Sequence, residues 1–224
     1  DQNVLKQIAM TAMTGKGAEG NKERLSDLII NAVNIISSER NFSSEDVKVQ
    51  KIKGNLTEEN ELIEGIILDK ERANVDMPLK VEKGKILLID FSLELRSPET
   101  ETRIAVSTPE QLESFIASEE KYLKSLTDKI INSGAKVVFC QKGIDDVAQY
   151  YLAKAGIFAC RRVSKSDMEK ISKATSAKII SNLNDINEKE FGYADIIEEV
   201  RAGDQQYTYI KGCRNPKVVT IVIS

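Results

Sequence analysis

The arrangement in this sequence best suited to chemistry is the turn Lys142-Gly143, which follows the apolar run Val137-Val138-Phe139-Cys140 and precedes the paired carboxylates Asp145 and Asp146. A strand that ends in a glycine turn and opens a helix aims backbone N–H groups and the positive end of the helix dipole at one point, which is how phosphates are cradled. Asp145 and Asp146 would then hold the accompanying metal. Against this, neither the glycine spacing of a P-loop nor that of a dinucleotide fingerprint is present, and two aspartates beside the turn repel a phosphate. The plainer reading is favoured: a helix start stabilised by carboxylates and packed on a sheet.

Other chemistry is narrowed by what is missing. Histidine is absent from all 224 residues, which excludes Ser-His-Asp and Cys-His catalysis, imidazole-ligated zinc and histidine pH switching. Cys140, Cys160 and Cys213 are widely spaced, without a Cys-x-x-Cys, and read as small buried hydrophobes. With 41% hydrophobic and 30% charged residues the chain has the composition of a well-cored protein. Its net charge of −3 and interspersed lysines and arginines argue against a nucleic-acid partner. The apolar runs Ile86 to Ile89 and Val218 to Ile223 are too short to cross a membrane, and residues 1 to 20 lack the layout of a signal peptide, so a cytoplasmic protein is expected. A start inside a helix-like segment and an end inside a strand-like one suggest a piece of a longer polypeptide.

The elements that must position the turn follow from periodicity. Val137 to Cys140 reads as a buried parallel strand, and the alternation of strand, glycine turn and helix through Ala177 reads as a βαβα unit, so the fold class is α/β. Short strands are expected at Val47 to Ile52, Leu62 to Leu68 and Ile86 to Phe91, and at Asp195 to Arg201 and Tyr207 to Cys213 about a turn at Gly203-Asp204. Near the start, Val4, Leu5, Ile8, Ala9 and Ala12 have helical spacing. Asn21 is placed to cap a second helix carrying Leu25, Leu28, Ile29, Ala32, Val33 and Ile36. Between these two helices, three glycines surround Lys16, a loop by composition.

Two further helices carry candidate surfaces. Thr108-Pro109-Glu110-Gln111 is a capping box with proline at the first helical position, and no Pro or Gly follows until Gly134, so a helix of about 25 residues, roughly 37 Å long, is expected. Its stripe of Leu112, Phe115 and Ile116 resumes at Leu123, Leu126, Ile130 and Ile131 after an interruption at Glu119-Glu120-Lys121. The inner half is read as packed on the domain and the outer half as projecting; one long surface helix is the alternative. Ser166-Asp167-Met168-Glu169 is read as a second capping box opening a helix from Ser166 to Ala177. Met168, Ile171 and Thr175 form its inward stripe, and Glu169, Lys170, Ser172 and Lys173 stay outside.

In wording, the chain closely resembles group II chaperonins, the thermosome and the eukaryotic cytosolic ring chaperonins, and an archaeal source is expected. The resemblance is carried by Val137 to Asp146, by Tyr150 to Ile157, by Arg161 to Lys170 with Ala174-Thr175, by Leu62 to Lys70 with Met77-Pro78, and by Gly212-Cys213-x-Asn215-Pro216-Lys217. Asn74-Val75-Asp76 departs from the histidine-containing approach usual in the family, and Ser176 stands where glycine is common. The resemblance implies an apical domain at 67–212, a layered β-sheet core flanked by helices with a helical protrusion near 97–121. It also implies a smaller, mainly helical intermediate-domain portion at 1–66, with a return segment at 213–224.

The same resemblance implies function. Lys16 would sense the nucleotide γ-phosphate. Glu169, Lys170, Ser172 and Lys173 would contact unfolded polypeptide clients, together with the loop after Leu95. Leu112, Phe115 and Ile116 would belong to a built-in lid that meets sister subunits in a double ring. ATP and Mg²⁺ would serve the full-length assembly; the phosphate-binding Gly-Asp-Gly-Thr motif is not in this sequence, so the piece alone is expected to be no enzyme. Two alternatives stand beside this: an α/β enzyme built on Lys142, Gly143, Asp145 and Asp146, and an adaptor binding partners through the long helix.

Overall fold

The structure, a computed structural model, describes residues 2–15, 19–37, 42–52, 60–95, 108–213 and 217–223. Lys16 and positions 97–107 of the expected protrusion lie outside the described residues. Fifteen helices and strands are used below: α1 (Gln2–Met13), α2 (Lys22–Ile36), β1 (Val47–Lys51), β2 (Glu61–Ile63), β3 (Gly65–Leu68), β4 (Lys80–Ile89), α3 (Pro109–Asn132), β5 (Val137–Cys140), α4 (Asp146–Lys154), β6 (Phe158–Cys160), α5 (Lys165–Thr175), β7 (Ile179–Ile180), β8 (Gly192–Ala202), β9 (Gln205–Cys213) and β10 (Val219–Ile223).

A mixed seven-stranded sheet runs β3-β9-β8-β4-β5-β6, with β7 joining β4 where β8 ends. The second half of β4 (Ile86–Ile89), β5 and β6 pair in parallel and are apolar on both faces, as strands covered on two sides must be. One face packs Ile86, Leu88, Val137, Phe139 and Phe158 against Met168, Ile171 and Ala174 of α5. The other packs Leu87, Ile89, Val138 and Ala159 against Leu123 and Ile130 of α3 and Ala148 and Leu152 of α4. The result is a helix-sheet-helix layering, the arrangement expected of an α/β unit.

A second, three-stranded sheet has the order β1-β10-β2 and carries α2, whose Ala32 and Ile36 pack on Val219 and Ile221. The continuous strand expected from Leu62 to Leu68 is instead two strands in different sheets. The change falls at Glu64, so Gly65 and Ile66, grouped above with residues 1–66, belong to the large sheet. Gly65 makes the step possible. Its φ is 150°, and a Cβ there would run into the Ile210 carbonyl oxygen.

Helix ends also differ from expectation. Asn21 stands at the N-cap of α2 but makes no side-chain cap bond. The cap of α5 is Ser164 rather than Ser166. Its Oγ accepts from the Asp167 backbone N–H at 3.1 Å and donates to the Asp167 carboxylate at 2.8 Å, so the cap lies two residues earlier than read. The helix stops at Thr175 because Ser176 turns left-handed, with φ of 63°. The glycine-type conformation is kept although the residue is serine.

Candidate functional site

The Gly143 turn is occupied by the protein's own chain. Leu93 N–H donates to the Gly143 carbonyl at 3.0 Å, Asp145 N–H donates to the Leu93 carbonyl at 2.9 Å, and the Asp145 carboxylate accepts from Leu95 N–H at 2.6 Å. Asp145 is the N-cap of α4 yet makes no side-chain cap bond, because its carboxylate is turned to Leu95. Glu94 lies over Gly143, where any Cβ would strike its carboxylate, and Ser92 Oγ donates to Glu94 at 2.5 Å. An incoming phosphate would therefore meet the carboxylates of Glu94 and Asp145, and the enzyme reading of Lys142, Gly143, Asp145 and Asp146 gains no support. Among the described residues no cluster of Cys, Asp and Glu is arranged to hold a metal ion. Burial pushes the thiols of Cys140, Cys160 and Cys213 up to about 12, far from a reactive thiolate.

What the turn does is anchor the segment that leaves β4. Two backbone rungs and one carboxylate fix residues 93 to 95 against the start of α4. Sequence reasoning assigned Asp145 to the helix dipole and missed this contact. A partner fifty residues away leaves no local signature.

The two candidate helices have contrasting surroundings. In α3, Thr108 Oγ accepts from Gln111 N–H at 3.3 Å with Pro109 at the first helical position, as the capping pattern requires. The buried residues of this helix are Leu123, Thr127 and Ile130, all in its inner part. Leu112 is 42% and Ile116 44% exposed, and Phe115 is half-buried. One helix is thus rooted at one end and bears an apolar face at the other.

In α5, Met168, Ile171, Ala174 and Thr175 are buried. Glu169 is exposed and Lys170 half-buried, but the other two candidate side chains are engaged. Ser172 Oγ donates to the Ala177 carbonyl at 2.6 Å, closing the helix end. Lys173 Nζ donates to Asp46 at 2.7 Å, reaching the segment before β1. The Asp46 carboxylate is buried, which pulls its pKa up, but the Lys173 ammonium and the Ser43 N–H outweigh this and hold it below the usual range. The hydrogen bond to Asp46 in turn raises Lys173. Lys48 on β1 completes the set, donating to the Ile67 carbonyl at 2.6 Å and to Asp167 at 3.2 Å. Asp46, Lys48 and Asp167 were not singled out from sequence.

Comparison with known proteins fits this architecture throughout the chain. The profile of the TCP-1/cpn60 chaperonin family matches residues 1–224. The chain belongs to the TCP-1/cpn60 chaperonin family. Within it, the thermosome subunit beta of Archaeoglobus fulgidus is 50% identical over 227 residues, and a thermosome subunit of Methanopyrus kandleri is 44% identical over the same length. Each match takes in 100% of this chain and 42% of the relative. Among solved structures, the open-state monomer of a group II chaperonin from Methanococcoides burtonii is similar with a TM-score of 0.77 and 40% identity, covering 100% of this chain and 50% of that one. The chain thus spans less than half the length of the curated chaperonin relatives it matches. Among the described residues, no helix is long and apolar enough to cross a membrane.

Proposed function

We propose that this chain is the client-binding and chamber-closing part of a group II chaperonin subunit. The observation that carries the reading is α3, buried at its root and apolar but exposed at Leu112 and Ile116. An apolar face held away from the core suits transient contact with non-native polypeptide or with the same helix of a neighbouring subunit. The large layered sheet serves as the apical domain and the small sheet with α1 and α2 as part of the intermediate domain. Glu169 and Lys170, with Lys173 beside them, offer clients polar and ionic contacts on α5, and Ser172 supports the end of that helix. The loop after Leu95 contacts clients as well in this reading.

In the full-length cytoplasmic double ring, ATP and Mg²⁺ act through a part of the subunit other than this one, and Lys16 reports on the γ-phosphate. The piece itself turns over no nucleotide. Titration with a chemically unfolded protein, and separately with Mg-ATP, tests the reading: client binding without nucleotide binding or hydrolysis is expected. Serine at Leu112, Phe115 and Ile116 together should weaken client capture while leaving the thermal midpoint unchanged. Nucleotide turnover lost on Asp145→Asn would sink the proposal and restore the enzyme reading.

A further inference from the structure

The loops that leave β5 and β6 meet at one corner of the large sheet. The two strands are parallel neighbours, and the helices that follow them, α4 and α5, pack on opposite faces. The loops are joined where they diverge: Arg162 N–H donates to the Lys142 carbonyl at 2.9 Å and Val163 N–H to the Cys140 carbonyl at 3.0 Å. The region beyond the carboxyl ends of parallel strands, where connections part to opposite faces, is where α/β sheets present loops to ligands.

This corner is basic. The joined loops carry Lys142, Arg161 and Arg162, and Lys165 opens α5 directly after them. All four side chains are exposed, and none makes an ion pair or a hydrogen bond among the described residues. Elsewhere in this net-acidic chain, Lys48, Lys85, Lys178 and Lys211 each meet a carboxylate. Two carboxylates border the corner, Glu94 over Gly143 and Glu169 one turn along α5, and neither pairs with it. Glu94 takes the Ser92 hydroxyl instead. Arg162 has a φ of 53°, a left-handed conformation that glycine adopts more readily. Its exposed side chain contributes nothing to the core, and backbone strain of this kind collects at binding sites.

We propose that this basic corner binds acidic, unstructured segments of client polypeptides. The proposal rests on the client-binding reading of α5, with which the corner is continuous through Lys165. An arginine can clamp a carboxylate through two parallel N–H donors, and the lysines add unpaired positive charge on either side. An exposed cluster of one sign also draws in an oppositely charged chain from a distance, which speeds capture and makes it sensitive to salt. Nucleic acid fits less well, because the two loops carry no aromatic side chain on which a base could stack. The corner thus selects clients by charge, whereas Leu112 and Ile116 of α3 offer apolar contact.

The test is fluorescence anisotropy with three end-labelled, unstructured peptides of equal length: one rich in glutamate, one with glutamine in those places and one with lysine. The unaltered chain should bind the glutamate peptide alone, and more weakly as salt is raised. K142Q/R161Q/R162G/K165Q should weaken that binding about tenfold, as the loss of four exposed pairs allows. Glycine at 162 keeps the left-handed turn. L112S/F115S/I116S should leave the peptide's affinity unchanged while capture of a chemically unfolded protein falls. Equal binding of the glutamate and glutamine peptides, or a quadruple variant that binds like the unaltered chain, overturns the proposal even where unfolded protein is still captured. Peptide binding that needs the four cations, in a chain that ignores unfolded protein, would uphold the acidic-segment site and sink the client reading. Single-stranded DNA bound more tightly than the glutamate peptide overturns the proposal in favour of nucleic acid. Should the quadruple variant not fold, K142Q/R161Q carries the same test, since both side chains are exposed.

Discussion

The two candidate working surfaces are attached to the molecule in opposite ways. The outer half of α3 has no buried residue, and the first one along the helix is Leu123. Helix α5 is buried along its whole inner stripe and pinned by ion pairs near both ends. One is an arm with a single root and the other a plate bolted to two sheets. The difference separates two tasks: an arm can search for and close on a partner, whereas a plate must transmit position faithfully.

The largest effect that would sharpen this contrast is in the core beneath the plate. Ile171→Ala or Met168→Ala should destabilise the chain by about 2–5 kcal/mol, read as a shift in the denaturation midpoint. Leu112→Ala or Ile116→Ala on the arm should change it by no more than about 0.5 kcal/mol. A cost at Leu112 approaching that at Ile171 would break the comparison. Hydrogen exchange gives the same contrast without mutation: amides of 109–118 should exchange far faster than those of Val137 to Phe139.

Helix ends come next. Thr108→Ala removes the cap of the arm and should cost about 0.5–2 kcal/mol of local helix stability, seen as fraying of the first turn with the global midpoint little moved. Ser176→Gly should stabilise the plate by about 1 kcal/mol, since a serine there bears the strain of a left-handed conformation.

The smallest expected effect is on pH dependence, and it belongs to the plate alone. Asp46 is held below its ordinary value, so the Lys173 pair contributes above that value and is lost as pH falls through the lowered one. Lys173 is raised, so the same contribution is complete below its ordinary value and lost as pH climbs through the raised one. The thermal midpoint of Lys173→Gln should therefore converge with that of the unaltered chain at both acid and strongly alkaline pH. A difference that persists at acid pH would show that Lys173 acts through packing rather than charge.

Much of this was legible from local pattern. The strand Val137–Cys140, the helix after Thr108 and the change in its surroundings near Leu123 all follow from periodicity and capping chemistry, which act over a few residues. What escaped notice depends on distant partners. The split at Glu64 is invisible because Ile63, Ile66 and Ile67 are alike in kind and differ only in which sheet receives them. Asp145 looks like a dipole residue until Leu95 is seen beside it. The shift of the α5 cap from Ser166 to Ser164 has a nearer cause: two serines two residues apart both satisfy the pattern, and the buried positions of Met168 and Ile171 decide between them.

The strand order β1-β10-β2 has a consequence in time. Strands β1 and β2 do not pair with each other, and the strand that joins them follows the whole large sheet in sequence, so Val47 waits for Val219. Closing so long a loop unaided is slow. The large sheet removes that delay, because β3 and β9 are neighbours, with Gly65 opposite Lys211, and the strands just outside them are delivered side by side. The small sheet is thus expected to form last, templated by the large one. A lesion anywhere between Gly65 and Cys213 that slows the large layer would leave β1 and β2 as unpaired edges while they wait.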